Sequence, residues 1–111
     1  MPHFLLKLLP PRPSFPGDMT AEEKKLMDAH VTYWAGLVMS DTALVFGPVF
    51  DPAGIYGLGI VKTADEGEAR AISARDPAIE ADCGFRYDVF SMQAATRPDV
   101  AAAQNLEKSN G

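Results

Sequence analysis

One cysteine in the whole chain, Cys83, excludes an internal disulfide and any inference of an oxidising compartment. Lone cysteines usually behave as small hydrophobes, so Cys83 is a weak candidate for a nucleophile. Histidine is almost as scarce. His3 and His30 are far apart in sequence, and with a single thiol they make no metal-ligand spacing. No apolar run approaches the ~20 residues needed to cross a bilayer. The N-terminal FLLKLL is interrupted by a lysine and followed by prolines instead of a cleavage site. No membrane partner is expected, and a cytoplasmic location follows by default. Basic charge is short too: 10 Lys and Arg against 15 Asp and Glu leave a net charge of −5, the wrong sign for binding nucleic acid. GIYGLG lies inside a strand pattern, not between a strand and a helix, so there is no phosphate loop and no cofactor is implied.

What is present is an ordinary globular composition. With 111 residues, 47% apolar and 23% charged, the chain makes one domain with one core.

That core is organised around residues 20–40, TAEEKKLMDAHVTYWAGLVMS, which read as a long amphipathic helix. At ~100° per residue, Leu26, Met27, His30, Val31, Tyr33, Trp34, Leu37 and Val38 share one broad sector, opposite Lys24, Lys25, Asp28 and Thr32. Thr20 with Glu23 makes a capping box at its start. Its end, at Ser40-Asp41-Thr42, has turn chemistry but no C-cap glycine.

Around this helix, residues 3–9 (HFLLKLL) predict a first strand stopped by Pro10-Pro11. Residues 10–18 hold four prolines and a glycine, a stiff loop that either connects to the helix or lids a pocket with Arg12 and Phe15. Residues 42–49 and 54–62 predict two strands of an antiparallel hairpin, and 65–75 a short helix with Thr63 and Glu66 as its capping box. In the third strand Gly57 and Gly59 share a face with Ile55 and Val61, which marks a close approach by a helix, another backbone or a ligand. Asp76-Pro77 breaks the second helix and starts a further turn through Ala81, and residues 84–93 predict the last strand. Residues 94–111 form a loosely held tail, helical only if a partner surface covers Val100 and Leu106, so the folded domain spans residues 1–93.

The order βαββαβ closes as an α+β, ferredoxin-like fold, a four-stranded antiparallel sheet with two helices on one face. Several strands carry large apolar residues on both faces, such as Leu5 and Leu9 against Phe4, Leu6 and Leu8. Two helices cover only one face, so a homodimer is expected to cover the other.

The candidate chemistry centres on His30, an ionisable ring on an apolar helix face between Leu26 and Trp34. Its candidate carboxylate partners are Asp51, in the turn after the second strand, and Asp76, at the helix break. The competing structural reading makes Asp76 an N-cap and His30 a core histidine bonded to a carbonyl. Trp34, Phe50 and Tyr56 are candidate walls of a small-molecule pocket.

Taken together, AHVTYWAGL, TALVFGPVFD, YGLGIVK and ARDPAIEADCGFRYDVFSM resemble the YciI-like, or YCII-related, family, over most of residues 1–92. The resemblance implies a ferredoxin-like protomer that dimerises through its sheet into a dimeric α/β-barrel type assembly, with a His/Asp pair as enzymatic centre. By position it gives the histidine role to His30 and the aspartate to Asp76, with Asp51 as the alternative. The family includes a dehydrochlorinase of aromatic breakdown. This chain departs from it in the Pro-rich loop at 10–17 and in the long tail after Gln93.

The expected function is therefore proton transfer by a His/Asp dyad to or from a small molecule, in an elimination, isomerisation or hydrolysis, without metal or nucleotide. The alternative is a non-catalytic dimeric small-molecule binder or accessory protein on the same fold.

Overall fold

A strand paired along both edges has its backbone groups satisfied, and HFLLKLL and YGLGIVK take those two central places. The computed structural model describes residues 1–97 and 100. Its elements in chain order are β1 (His3–Leu9), α1 (Ala21–Met39), β2 (Ala43–Val49), β3 (Tyr56–Lys62), α2 (Glu66–Arg75), α3 (Pro77–Glu80) and β4 (Arg86–Met92). The strands form one sheet in the order β2-β3-β1-β4, every pairing antiparallel. This is the ferredoxin-like arrangement expected. β3 starts at Tyr56 and β4 at Arg86, each two residues later than the patterns predict, because turn residues precede them. Of the tail after Gln93 only residues 94–97 and 100 are described; the expectation for the remainder lies outside the described residues.

The capping box of α1 is complete: the Thr20 hydroxyl accepts from the Glu23 N–H, and the Glu23 carboxylate accepts from the Thr20 N–H. At the other end Asp41 adopts φ 66°, with its N–H donating to the Val38 carbonyl and the Thr42 N–H to that of Leu37. These two bonds close the helix in the manner usually served by glycine, and aspartate is among the few other residues that tolerate this backbone. α2 departs from its predicted start. Asp65, not Thr63, is the N-cap, accepting from the Glu68 N–H, while the buried Thr63 hydroxyl donates to the Asp65 carbonyl.

The helices cover one face of the sheet. Phe4, Leu6 and Val61 meet Trp34 from α1 and Ala69 and Ile72 from α2 in the main core. Gly59 explains the bare centre of β3: a Cβ there would lie 2.3 Å from Cη2 of Trp34, so the indole takes the space a side chain would fill. The apolar sector of α1 is narrower than its periodicity suggests, since Val31 and Val38 remain exposed. The opposite face carries a row across all four strands, Val45, Ile60, Leu5 and Phe90, in register. Phe90 and Val45, at the two ends of that row, are about half exposed.

Candidate functional site

The break between α2 and α3 is where backbone and side-chain needs meet. Proline cannot continue α2, and the residue before it is driven out of the helical region, so Asp76 sits at φ −61°, ψ 130°. Extended there, it caps α3: its Oδ1 accepts from the Ala78 N–H at 2.9 Å. That leaves Oδ2 aimed at α1 and β4. It takes three donors: His30 Nδ1 at 2.7 Å, Tyr87 Oη at 2.5 Å and Trp34 Nε1 at 3.2 Å. Trp34 Nε1 also donates to Tyr87 Oη at 2.9 Å.

Asp76 is fully buried, with 0% of its surface exposed. Burial pushes its carboxyl up, but the bonds from His30, Tyr87 and the Ala78 N–H outweigh it and hold the group below the usual carboxylate range. Tyr87 moves the other way. Its burial, together with the neighbouring Asp76 charge and the bond it donates, drives its hydroxyl well above the usual phenol range. Burial, then the Asp76 charge, also raises Tyr33, whose hydroxyl donates to the Ile72 carbonyl at 2.7 Å. An ionised carboxylate only accepts, so the proton between His30 and Asp76 resides on Nδ1. Nε2 is then the nitrogen with the free lone pair.

The His30 side chain is 14% exposed and lines a cavity of about 310 Å³. Leu8 and Gly57 contribute from the sheet, Met27 and Val31 from α1, Phe46 and Pro48 from β2, and Phe50, Ile55 and Tyr56 from the β2–β3 turn and the start of β3. The remaining wall is the Pro-rich loop, through Phe15, Pro16 and Met19, backed by Phe85. Phe15 meets Phe85 edge-on at 5.3 Å between centroids.

Arg12 holds that loop in place. Its guanidinium bridges Asp18 through Nε at 2.9 Å and Glu23 of α1 through Nη1 and Nη2 at 2.8 and 2.7 Å. The paired guanidinium lowers the Glu23 carboxyl to about 2, aided by the Thr20 N–H. The loop therefore does lid the pocket, with Arg12 as fastening and Phe15 as wall.

Of the residues singled out in sequence, His30, Phe50 and Tyr56 line the cavity. Asp76 is the carboxylate bonded to His30, whereas Asp51 spends an oxygen on the Ala53 N–H in its own turn. Trp34 lies behind the cavity wall, 1% exposed, bracing Asp76. The carboxylate partner is thus Asp76 and not a backbone carbonyl, though Asp76 is also the N-cap that the competing reading named. Tyr87 was not read as part of the site. Its alternation with Phe85 and Val89 points it toward the helices, but no local pattern shows that an acceptor waits there. Among the described residues no cluster of His, Cys, Asp or Glu could hold a metal ion, and no helix is long and apolar enough to cross a membrane.

These features define a class: a ferredoxin-like α+β protomer whose two helices cover one face of the sheet, with a histidine–carboxylate pair at the wall of an apolar cavity. The chain belongs to the YCII-related family, since the YCII-related domain matches residues 6–93. Among curated proteins no match is found.

Proposed function

We propose that this protein is a small-molecule enzyme in which His30 transfers a proton, oriented by Asp76, during an elimination, isomerisation or hydrolysis. The observation that carries the reading is the 2.7 Å bond from His30 Nδ1 to a buried carboxylate, on a ring that lines a cavity. Asp76 selects the tautomer and stabilises positive charge on the ring, and Nε2 is left to take a proton from a bound molecule and return it. The surrounding wall excludes water and supplies apolar contact.

A second reading, a non-catalytic binder, draws on the same bonds. Asp76 ties α1, α3 and β4 together, which is what a structural role requires. His30→Gln separates the two. On the catalytic reading the variant keeps its fold and binds the substrate while turnover falls by at least about a hundredfold, the usual scale of general acid–base contributions. Unchanged turnover in His30→Gln of a substrate that the wild type converts would remove His30 from the chemistry, and a cavity ligand that the wild type binds without converting is the result that favours the binder.

The reading includes a homodimer formed through the open sheet face. The row Val45–Ile60–Leu5–Phe90 is the apolar strip that a two-fold partner would cover. Sedimentation at micromolar concentration checks this, with Phe90→Asp as the disrupting variant; a wild-type monomer is the contrary result.

A further inference from the structure

We propose that the cavity beside His30 selects an uncharged, apolar molecule of one or two rings, discriminating against both anions and cations of the same shape. The inference rests on the reading that His30 acts on whatever the cavity holds, and it names the class of that molecule.

The wall is the first argument. Among the described residues lining the cavity there is no Asp, Glu, Lys or Arg; His30 is the one residue besides Tyr56 that carries an ionisable group. An anion entering would leave water without meeting a Lys or Arg in the wall itself, and His30 and Asp76 together are a pair with no surplus charge when the ring is protonated. Burying an unpaired charge is strongly unfavourable.

A cation fares no better. Asp76, the carboxylate bonded to His30, is fully buried behind the ring with both oxygens already accepting bonds. The aromatic faces offer an alternative, since rings attract cations. Two of them are already taken by the protein: Lys7 Nζ lies 4.5 Å from the Tyr56 centroid, and the Arg12 guanidinium 5.8 Å from that of Phe15. Neither of these two rings is therefore free to receive a ligand cation on the occupied face.

The entrance is apolar as well. Phe50 is 77% exposed and Val31 50% exposed, and both line the cavity. Large apolar side chains facing water at the rim of a pocket favour a ligand that brings apolar surface of its own. A volume of about 310 Å³ is at the small end for ligand pockets, which sets the size at one or two rings.

The test uses three probes with one ring system: naphthalenemethanol, naphthalenesulfonate and naphthylmethylammonium. Each is titrated at neutral pH into the isotope-labelled wild-type protein, and binding is read from the amide resonances of Val31, Phe50 and Gly57. The alcohol should bind at least about tenfold more tightly than either ion, a lower bound on the cost of an uncompensated charge in a partly open site. Equal or tighter binding of either ion overturns the proposal, as does failure of the alcohol to shift these resonances. Val31→Lys places a cation at the rim, where a half-exposed helix position accommodates it, and should turn the preference toward the sulfonate. No change in the ratio counts against charge selection by the wall. Because these measurements need no turnover, charge selection can fail while His30-dependent catalysis stands, and the reverse.

Discussion

Placing a methyl group on Gly59 tests how the core and the site are joined. An ideal Cβ there would lie 2.3, 2.5 and 2.9 Å from Cη2, Cζ3 and Cζ2 of Trp34, where carbon atoms prefer about 3.5–4.0 Å. The indole must retreat by more than about an ångström. It has little room to do so: it is 1% exposed, stacked on Phe46 at 6.1 Å between centroids, and bonded through Nε1 to Asp76 and Tyr87. Overpacking a well-filled core costs about 1–3 kcal/mol, and weakening the two indole bonds adds about 1 kcal/mol more. Against this, replacing glycine with alanine lowers the entropy of the unfolded chain and returns about 0.4–1 kcal/mol. Gly59→Ala should therefore destabilise the protein by about 2–3 kcal/mol, the upper part of the overpacking range. Urea unfolding at fixed protein concentration, followed by the fluorescence of Trp34, the one tryptophan, gives the measurement. With a slope of about 1–3 kcal/mol/M for a domain of this size, the midpoint should fall by about 0.7–3 M. Gly47→Ala is the control: nothing lies within 4 Å of a Cβ there, so its midpoint should stay close to that of the wild type. A Gly59→Ala midpoint no lower than that of Gly47→Ala would refute the steric argument and the bracing of Asp76 built on it.

Asp76→Asn removes the charge that accepts from His30, Tyr87 and Trp34, and puts an amide donor among donors. It should cost about 2–4 kcal/mol of stability, read by the same urea transition. Acid should weaken the protein in a defined window. The Glu23 carboxyl is lowered from 4.5 to about 2 and the Asp76 carboxyl also lies below its ordinary value, so both stabilise fully above their unfolded values and lose that contribution as pH falls toward the folded ones. Arg12→Gln should make the loss of stability between about pH 4.5 and 2 shallower, because Glu23 then titrates nearer its ordinary value. Asp41→Gly should raise the thermal midpoint slightly, by relieving about 1 kcal/mol of left-handed backbone cost, partly offset by the added freedom of the unfolded chain.

Local chemistry was enough to place every strand and helix within a few residues. The capping box of Thr20 and Glu23, the proline stop after Leu9 and the break at Asp76-Pro77 each act over four residues or fewer, and a signal of that reach is present in the sequence itself. Alternation in β3 likewise marks Gly57 and Gly59 as the place where a helix, another backbone or a ligand comes close. Neither alternation nor helical period could say what came close, or how wide the covered stripe of α1 would be. Val31 and Val38 share the apolar sector but stay exposed, Val31 at the rim of the cavity.

The site was decided at longer range. His30 and Asp76 are 46 residues apart, and Trp34 and Tyr87 are 53 apart. They meet because β4 pairs with β1 while the α2–α3 break lies against α1, which no local pattern specifies. Sequence alone left Asp51 and Asp76 as open choices for His30. Tertiary structure separated them, since Asp51 closes its own turn, whereas Pro77 forces Asp76 into an extended conformation that leaves one oxygen free to collect donors from three directions. Residue type and spacing determine which groups can titrate and which backbone segments must bend; only the packed fold decides which of them meet in a hydrogen bond.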